Sequence, residues 1–442
     1  MNTSSARITL PGAAAARLSS DTFWMAAFLV VVVSKVGDWI EALSGVPLVK
    51  ITFAITLIVA FRAGKLPSPI RAWSLRLVRP AIVFLLLGMA SLLWSIYKSD
   101  SLRSSVSAAI YLIALVLLVK IVLTPRDLYR LLKGVAVGGG LLAVGTLVQF
   151  AGGRAGMEAW NSNDLAYVLV TVLPLVLVQR VGRSAVAQLV VLFVALLMVI
   201  ATLLTGSRGG LLGLGVVVAV LTAFPLAPDA AGRPKRFRAM TAAARVVPLA
   251  VLGALIWLHL PSKTTERLAT LEHIEGDYNM SEDIQASRLL IWRRDLGLAL
   301  RRPIGYGLGT STTVDGLLGG GQYRTAHNSL IEVIVELGVL GLAIYLTAYY
   351  RVWRGLLAVW REHIAQPTPD SAQMLLYTRA LSIAFLGNFA TGFFLSQAYS
   401  GLLWMLVAVC ATLVRMAAPA YGVIATGQHA RSTARQSGAK WV

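Results

Sequence analysis

Residues 184–204 read SAVAQLVVLFVALLMVIATLL, a run without a charged side chain, followed at once by Thr205-Gly206-Ser207-Arg208-Gly209-Gly210 and then by a second apolar run. A helix rises 1.5 Å per residue, so about 20 apolar residues cross a hydrocarbon core about 30 Å thick. Two such runs joined by a glycine-rich turn predict two antiparallel membrane helices meeting at one face. The pattern recurs along the chain, near residues 23–43, 46–62, 80–97, 104–123, 131–151, 163–180, 184–204, 209–227, 245–260, 328–350, 376–396 and 398–418. Composition agrees. With 57% hydrophobic and 14% charged residues over 442 positions, the chain cannot coat a water-soluble globule. The runs are also too long and too continuous for barrel strands, which need only about ten alternating residues. The expected fold is all-α, a polytopic membrane bundle of about 12 transmembrane helices.

Basic residues in short loops are held on the inner side of a membrane. Arg7 and Arg17 set the amino terminus inside, and every second loop is then basic: Arg62 to Arg79, Arg126 to Lys133, Arg180 and Arg183, Arg233 to Arg245, Arg351 to Arg361, and the tail from Arg415 to Lys440. Both termini are expected to be cytoplasmic. The outward loop 261–327 carries eight basic and eight acidic residues and is neutral. The net charge of +20 therefore reports topology and does not argue for nucleic acid. The expected division is an N-terminal bundle over 1–260, an outer loop over 261–327, C-terminal helices over 328–418 and a basic tail over 419–442.

The first apolar run leads into Lys35, Asp38 and Glu41 without a small-residue cleavage site and is read as a retained span. The lone cysteine, Cys410, lies in the last span, which excludes intrachain disulfides and cysteine-based metal sites. His259, His273, His363 and His429 are scattered and form no ligand pair. The two halves show no repeat of the kind common in secondary transporters.

Three outward residues draw attention. Arg208 sits in a turn where the positive-inside bias disfavours arginine. Its flanking glycines would let a ligand approach the backbone, and the amides opening the next helix favour an anion. A guanidinium fork suits diphosphate, and the plainer alternative is an arginine snorkelling at a helix end. Arg288 falls within 281–302, which reads as a helix laid on the membrane. Ser281 would cap it, Glu282 and Asp283 suit its positive end, Arg301 and Arg302 suit its negative end, and Pro303 stops it. Ile284, Leu289, Trp292, Leu296 and Leu300 form its apolar stripe, with Arg288 and Asp295 off it. His327 opens the string His327-Asn328, nine residues, Gly338-Val339-Leu340-Gly341 at the edge of the tenth run. An imidazole with an ordinary pKa near 6.5 can take a proton from a sugar hydroxyl, although a lone boundary histidine is also a common hydrogen-bonding residue. Gly338 and Gly341 are expected to permit close helix packing.

These segments, together with Ser287-Arg288-Leu289-Leu290-Ile291-Trp292, Pro303-Ile304-Gly305-Tyr306-Gly307-Leu308-Gly309 and Asn161-Ser162-Asn163-Asp164, resemble the O-antigen ligases and related O-antigen polymerases. The resemblance implies a GT-C-like glycosyltransferase of the bacterial inner membrane with its active site facing the periplasm. The donor would be an undecaprenyl-diphosphate-linked glycan. The acceptor would be a lipid A-core sugar for a ligase, with inversion at the anomeric carbon, or a carrier-linked repeat unit for a polymerase. It assigns His327 as catalytic, Arg208 and Arg288 to the diphosphate, and Asn328, Ser207 and Asp164 as further substrate-binding candidates. No metal and no cofactor is expected, since no DxD pair stands in the sequence and Glu275-Gly276-Asp277 reads as a loop turn. A lipid-linked glycan transporter is the reading from another class, and it would call for charges lining a path through the bilayer.

Overall fold

A computed structural model describes residues 20–43, 45–65, 75–150, 161–224, 287–320, 323–368 and 370–418, with 226 and 265 standing alone. Its longer helices are α1 (Ser20–Ser34), α2 (Leu48–Arg62), α3 (Val78–Ala90), α4 (Lys98–Ile121), α5 (Pro125–Val148), α6 (Ser162–Leu177) and α7 (Ala185–Leu204). There follow α8 (Arg208–Ala223), α9 (Arg288–Arg301), α10 (Ser311–Leu318), α11 (Ser329–Ala365), α12 (Ser371–Gly392) and α13 (Gly401–Ala417). Among the described residues every regular element of three or more residues is helical. Among the described residues five helices, ending at Ile121, Val148, Arg180, Leu204 and Ala365, are long and apolar enough to cross a membrane; α1, α3, α8 and α13 are shorter apolar helices. The chain is a multi-pass membrane protein. The expected run 245–260, the tail 419–442 and residues 261–264, 266–286 and 321–322 of loop 261–327 lie outside the described residues.

Helices fill the other expected runs with instructive shifts in their ends. Lys35, at φ 52, breaks the first run well short of residue 43. The helix expected from 131 begins at Pro125, because Thr124 and Asp127 form a reciprocal capping box and proline suits the first helical position. Arg351 to Arg361, expected in a loop, lie on an extension of α11 that continues to Ala365.

Burial separates the interior helices from the rim. The apolar window of α6 is 78% buried, whereas that of α7 is 22% buried and presents Val186, Leu189 and Phe193 outward. A helix apolar all round belongs inside, and α13 is one: nearly every residue from Gly401 to Val414 is buried. Close packing of small residues does occur, on α5. A Cβ on Gly134 would lie 2.9 Å from the Ala26 carbonyl of α1, and one on Gly138 2.9 Å from Val33.

Gly338 and Gly341 do not serve that purpose. Gly338 adopts φ 68 and ψ −166 and breaks α11 in its upper third. A break inside a span strands backbone groups where no water can satisfy them. The segment Pro303–Gly309 fills the gap: Tyr306 and Gly307 N–H donate to the Val335 and Glu336 carbonyls, and Val339 N–H donates to the Pro303 carbonyl. Gly305 approaches so closely that a Cβ there would meet the Glu336 carbonyl at 2.4 Å. Gly341 faces Leu337 of its own helix rather than another span.

Candidate active site

The candidate residues sit at helix N-termini. Ser207 caps α8, its Oγ accepting the Gly210 N–H at 3.1 Å, and Arg208 is the first helical residue. Ser287 caps α9 in the same way through Leu290 N–H, and Arg288 is the first helical residue. The sequence reading placed the cap of this helix at Ser281, which lies outside the described residues with Ile284; the described helix begins at Arg288. Asn328 caps α11, its Oδ1 accepting Leu330 and Ile331 N–H at 2.9 and 3.2 Å. Asn161 caps α6, accepting from Asn163 and Asp164 N–H, which leaves Asp164 on its first turn.

All four N-termini contact one segment, 394–398, between α12 and α13. A Cβ on Gly209 would lie 2.7 Å from the Phe394 Cβ, so α8 abuts that residue. Arg288 Nη1 donates to the Phe394 carbonyl at 3.4 Å. Ser329 Oγ donates to the Leu395 carbonyl at 2.7 Å and accepts the Gln397 N–H at 3.0 Å. Gln397 Nε2 donates to Asp164 at 2.6 Å. Each N-terminus carries about half a positive charge, so their convergence favours an anion even before the guanidinium groups are added.

His327 precedes the α11 cap at φ 48, and its Nε2 lies 3.1 Å from Thr325 Oγ1. A non-glycine residue in the left-handed region is uncommon and is held by its surroundings. Trp292 of α9 supplies part of that hold, donating from Nε1 to the Ala326 carbonyl at 2.6 Å while its ring meets Phe393 edge-on. Trp292 is thus half-buried against the site, whereas Leu296 and Leu300 of the expected stripe are exposed. The face of α9 turned to the protein is Ile291, Asp295, Leu298 and Ala299.

Ser207 is 2% exposed and Asn328 3% exposed, and the side-chain oxygen of each accepts an amide hydrogen that opens its helix. The two glycines after Arg208 allow close packing, since a Cβ on Gly209 would lie 2.7 Å from Phe394 and one on Gly210 2.4 Å from Ala166. Asp164 bonds Gln397 and remains part of the assembly.

Several acidic residues that stand in no motif also lie around these helix starts. Glu332 and Glu336 stand one turn apart on the upper part of α11. Glu336 Oε2 accepts Gly309 N–H at 2.6 Å and its Oε1 accepts Ser311 N–H at 3.0 Å, fastening the loop before α10. Glu332 Oε2 accepts Ala398 N–H at 3.2 Å. Beneath α9 lies a buried ion pair, Arg294 with Asp315, and Asp315 Oδ2 also accepts the Arg324 N–H. Asp295 is 1% exposed, and among the described residues neither of its oxygens has a hydrogen-bond partner. Burial, reinforced by the nearby Asp315 charge and opposed by Arg294, raises its carboxyl to about 7. A narrow cleft between α11 and α12, lined by Ser329, Tyr345, Tyr349, Phe389 and Phe393, opens beside the site. Among the described residues no group of three or more acids, histidines or cysteines is placed to hold a metal ion.

Residues 193–346 match the family model described as O-antigen ligase, from the middle of α7 to the kinked α11. The match covers 154 of the chain's 442 residues. The chain matches no curated protein. The domain contains Arg208, Arg288 and His327, whereas Asp164 and the segment 394–398 that joins them lie outside its matched range. The family comprises membrane glycosyltransferase-like enzymes and implies a lipid-linked glycan and a lipid acceptor in general.

Proposed function

We propose that the protein is an O-antigen ligase-type glycosyltransferase that moves a glycan from undecaprenyl diphosphate to a lipid A-core sugar hydroxyl, at the periplasmic face of the bacterial inner membrane and without a metal ion. The observation that carries this reading is the convergence of four helix N-termini, two of them starting with arginine, on segment 394–398. As the bond between the anomeric carbon and the diphosphate breaks, negative charge builds on the leaving group. Donors fixed in advance around that charge stabilise the transition state more than the ground state. Arg208 and Arg288 supply that charge in the place a divalent ion takes elsewhere. His327 orients or deprotonates the acceptor hydroxyl.

The test is reconstitution of the purified protein with undecaprenyl-diphosphate glycan and, separately, lipid A core and a carrier-linked repeat unit. Glycan on lipid A core supports the ligase. Lengthened carrier-linked chains would make the protein a polymerase, and movement of the donor across the bilayer with neither product would make it a transporter.

A further inference from the structure

Segment 394–398 ties the site together mostly through its main chain, and around Gln397 that main chain is committed on both sides. The Gln397 N–H donates to Ser329 Oγ, its carbonyl accepts the Ser400 N–H at 3.1 Å, and the next amide, Ala398, donates to Glu332. The side chain is held at one end only, Nε2 donating to Asp164 Oδ1 at 2.6 Å. An ionised carboxylate accepts and never donates, so it takes the NH2 end of the amide and turns Oε1 the other way. Lys35, at the break that ends α1, is near enough to attract the Asp164 charge. No described residue donates to Oε1; Gln397 is partly exposed, and this oxygen, unlike those of Asp295, is not sealed from solvent. The tie to Asp164 calls only for a donor, which a lysine would supply. The amide brings an aimed acceptor as well.

Its place in the site gives that acceptor a use. Phe394 receives Arg288 and abuts Gly209 beside Arg208, and Gln397 lies three residues on, at most about 10 Å along the chain. Ser329, which accepts the Gln397 N–H, stands two residues beyond His327. We propose that Gln397 is a substrate-binding residue for the acceptor, its Oε1 accepting a hydrogen bond from a sugar hydroxyl, and that Asp164 is the positioning residue that fixes the direction of the amide; this rests on the glycosyl-transfer reading above. A carbonyl held in one direction selects a hydroxyl at one place on the ring. The bond is made in the bound state and the transition state alike, so its loss weakens acceptor binding and leaves turnover at saturation near wild type. His327 keeps its role at the reacting hydroxyl.

The experiment uses the full-length protein in proteoliposomes with undecaprenyl-diphosphate glycan and, separately, lipid A core and the carrier-linked repeat unit. It compares wild type with Gln397→Lys, Asp164→Asn and the double variant. Lysine can donate to Asp164 and has no acceptor atom, so it keeps the tie and removes the oxygen. Gln397→Lys should raise KM for the acceptor that is served about tenfold, with kcat, KM for the donor and the unfolding temperature near wild type. Asp164→Asn, whose own amide can meet either end of Gln397, should raise acceptor KM by less, and the double variant should be no worse than Gln397→Lys alone. An acceptor KM within about twofold of wild type in Gln397→Lys would overturn the proposal. So would a rise in donor KM with acceptor KM unchanged, and so would parallel loss of kcat, both KM values and thermal stability, which marks a structural tie. A wild type that serves neither acceptor removes the transfer reading, and Gln397 with it; an active wild type with an unaltered acceptor KM in Gln397→Lys removes Gln397 alone.

Discussion

Replacing Asp295 with asparagine should tighten α9 at neutral pH and abolish a pH dependence that the wild type shows. Asp295 is buried beside Asp315 without a hydrogen-bond partner among the described residues, and its carboxyl is raised to about 7 from an ordinary value of 3.8. A difference of roughly three units at about 1.4 kcal/mol each sets a ceiling of about 4 kcal/mol. The sign follows from which state holds the proton. Below about pH 4 the carboxyl is neutral whether α9 is docked or open, and docking bears no ionic penalty. Between about 4 and 7 the open form ionises while the docked form stays protonated, so opening becomes easier with every unit of pH. Above about 7 both forms are ionised and the loss is complete. Asparagine carries no proton to lose. Amide hydrogen exchange over 288–301, corrected for intrinsic rates, should show wild-type protection falling from pH 4 to 7 and then levelling, with Asp295→Asn nearly flat and more protected at pH 7. Protection profiles running parallel across that window would refute the reasoning.

His327→Ala should abolish glycan transfer while undecaprenyl-diphosphate binding persists, measured as turnover against donor affinity in the same preparation. Arg208→Lys should cost turnover by a factor of about ten or more, because an ammonium cannot form the paired hydrogen bonds of the guanidinium fork; initial rates at saturating donor check this. Gly338→Ala should destabilise the fold by more than about 3 kcal/mol, or prevent folding, since its Cβ would be built 1.9 Å from the Pro303 carbonyl at a positive φ, and thermal unfolding in detergent reads the effect.

The membrane helices were legible because length and apolarity alone decide whether a segment can span a bilayer. Their ends were less so. The capping box at Thr124 and Asp127 was written in the sequence, yet hydrophobicity did not rise until 131, and the polar first turn went unread. Ser207-Arg208 and Ser287-Arg288 were singled out for their arginines, while the serines before them, which set where each helix begins, explain why both guanidinium groups stand at helix N-termini. Segment 394–398 could not be read at all. Apart from the Gln397 side chain, it acts through backbone carbonyls and amides, toward helices that meet only in the folded bundle. Glu332 and Glu336 did carry a signal, two acids in an otherwise apolar run, but the pull of the histidine string obscured it.

The interruption at Gly338 divides α11 into two mechanical parts. Through the amides of Tyr306, Gly307 and Val339, the upper part is sewn to a loop that is itself tied to the α3–α4 connection by Ile96 N–H, Ser91 Oγ and Ser101 Oγ. His327, Asn328 and Glu332 all precede the break, so this loop, rather than an unbroken helix, fixes how they stand relative to the long packed part of α11.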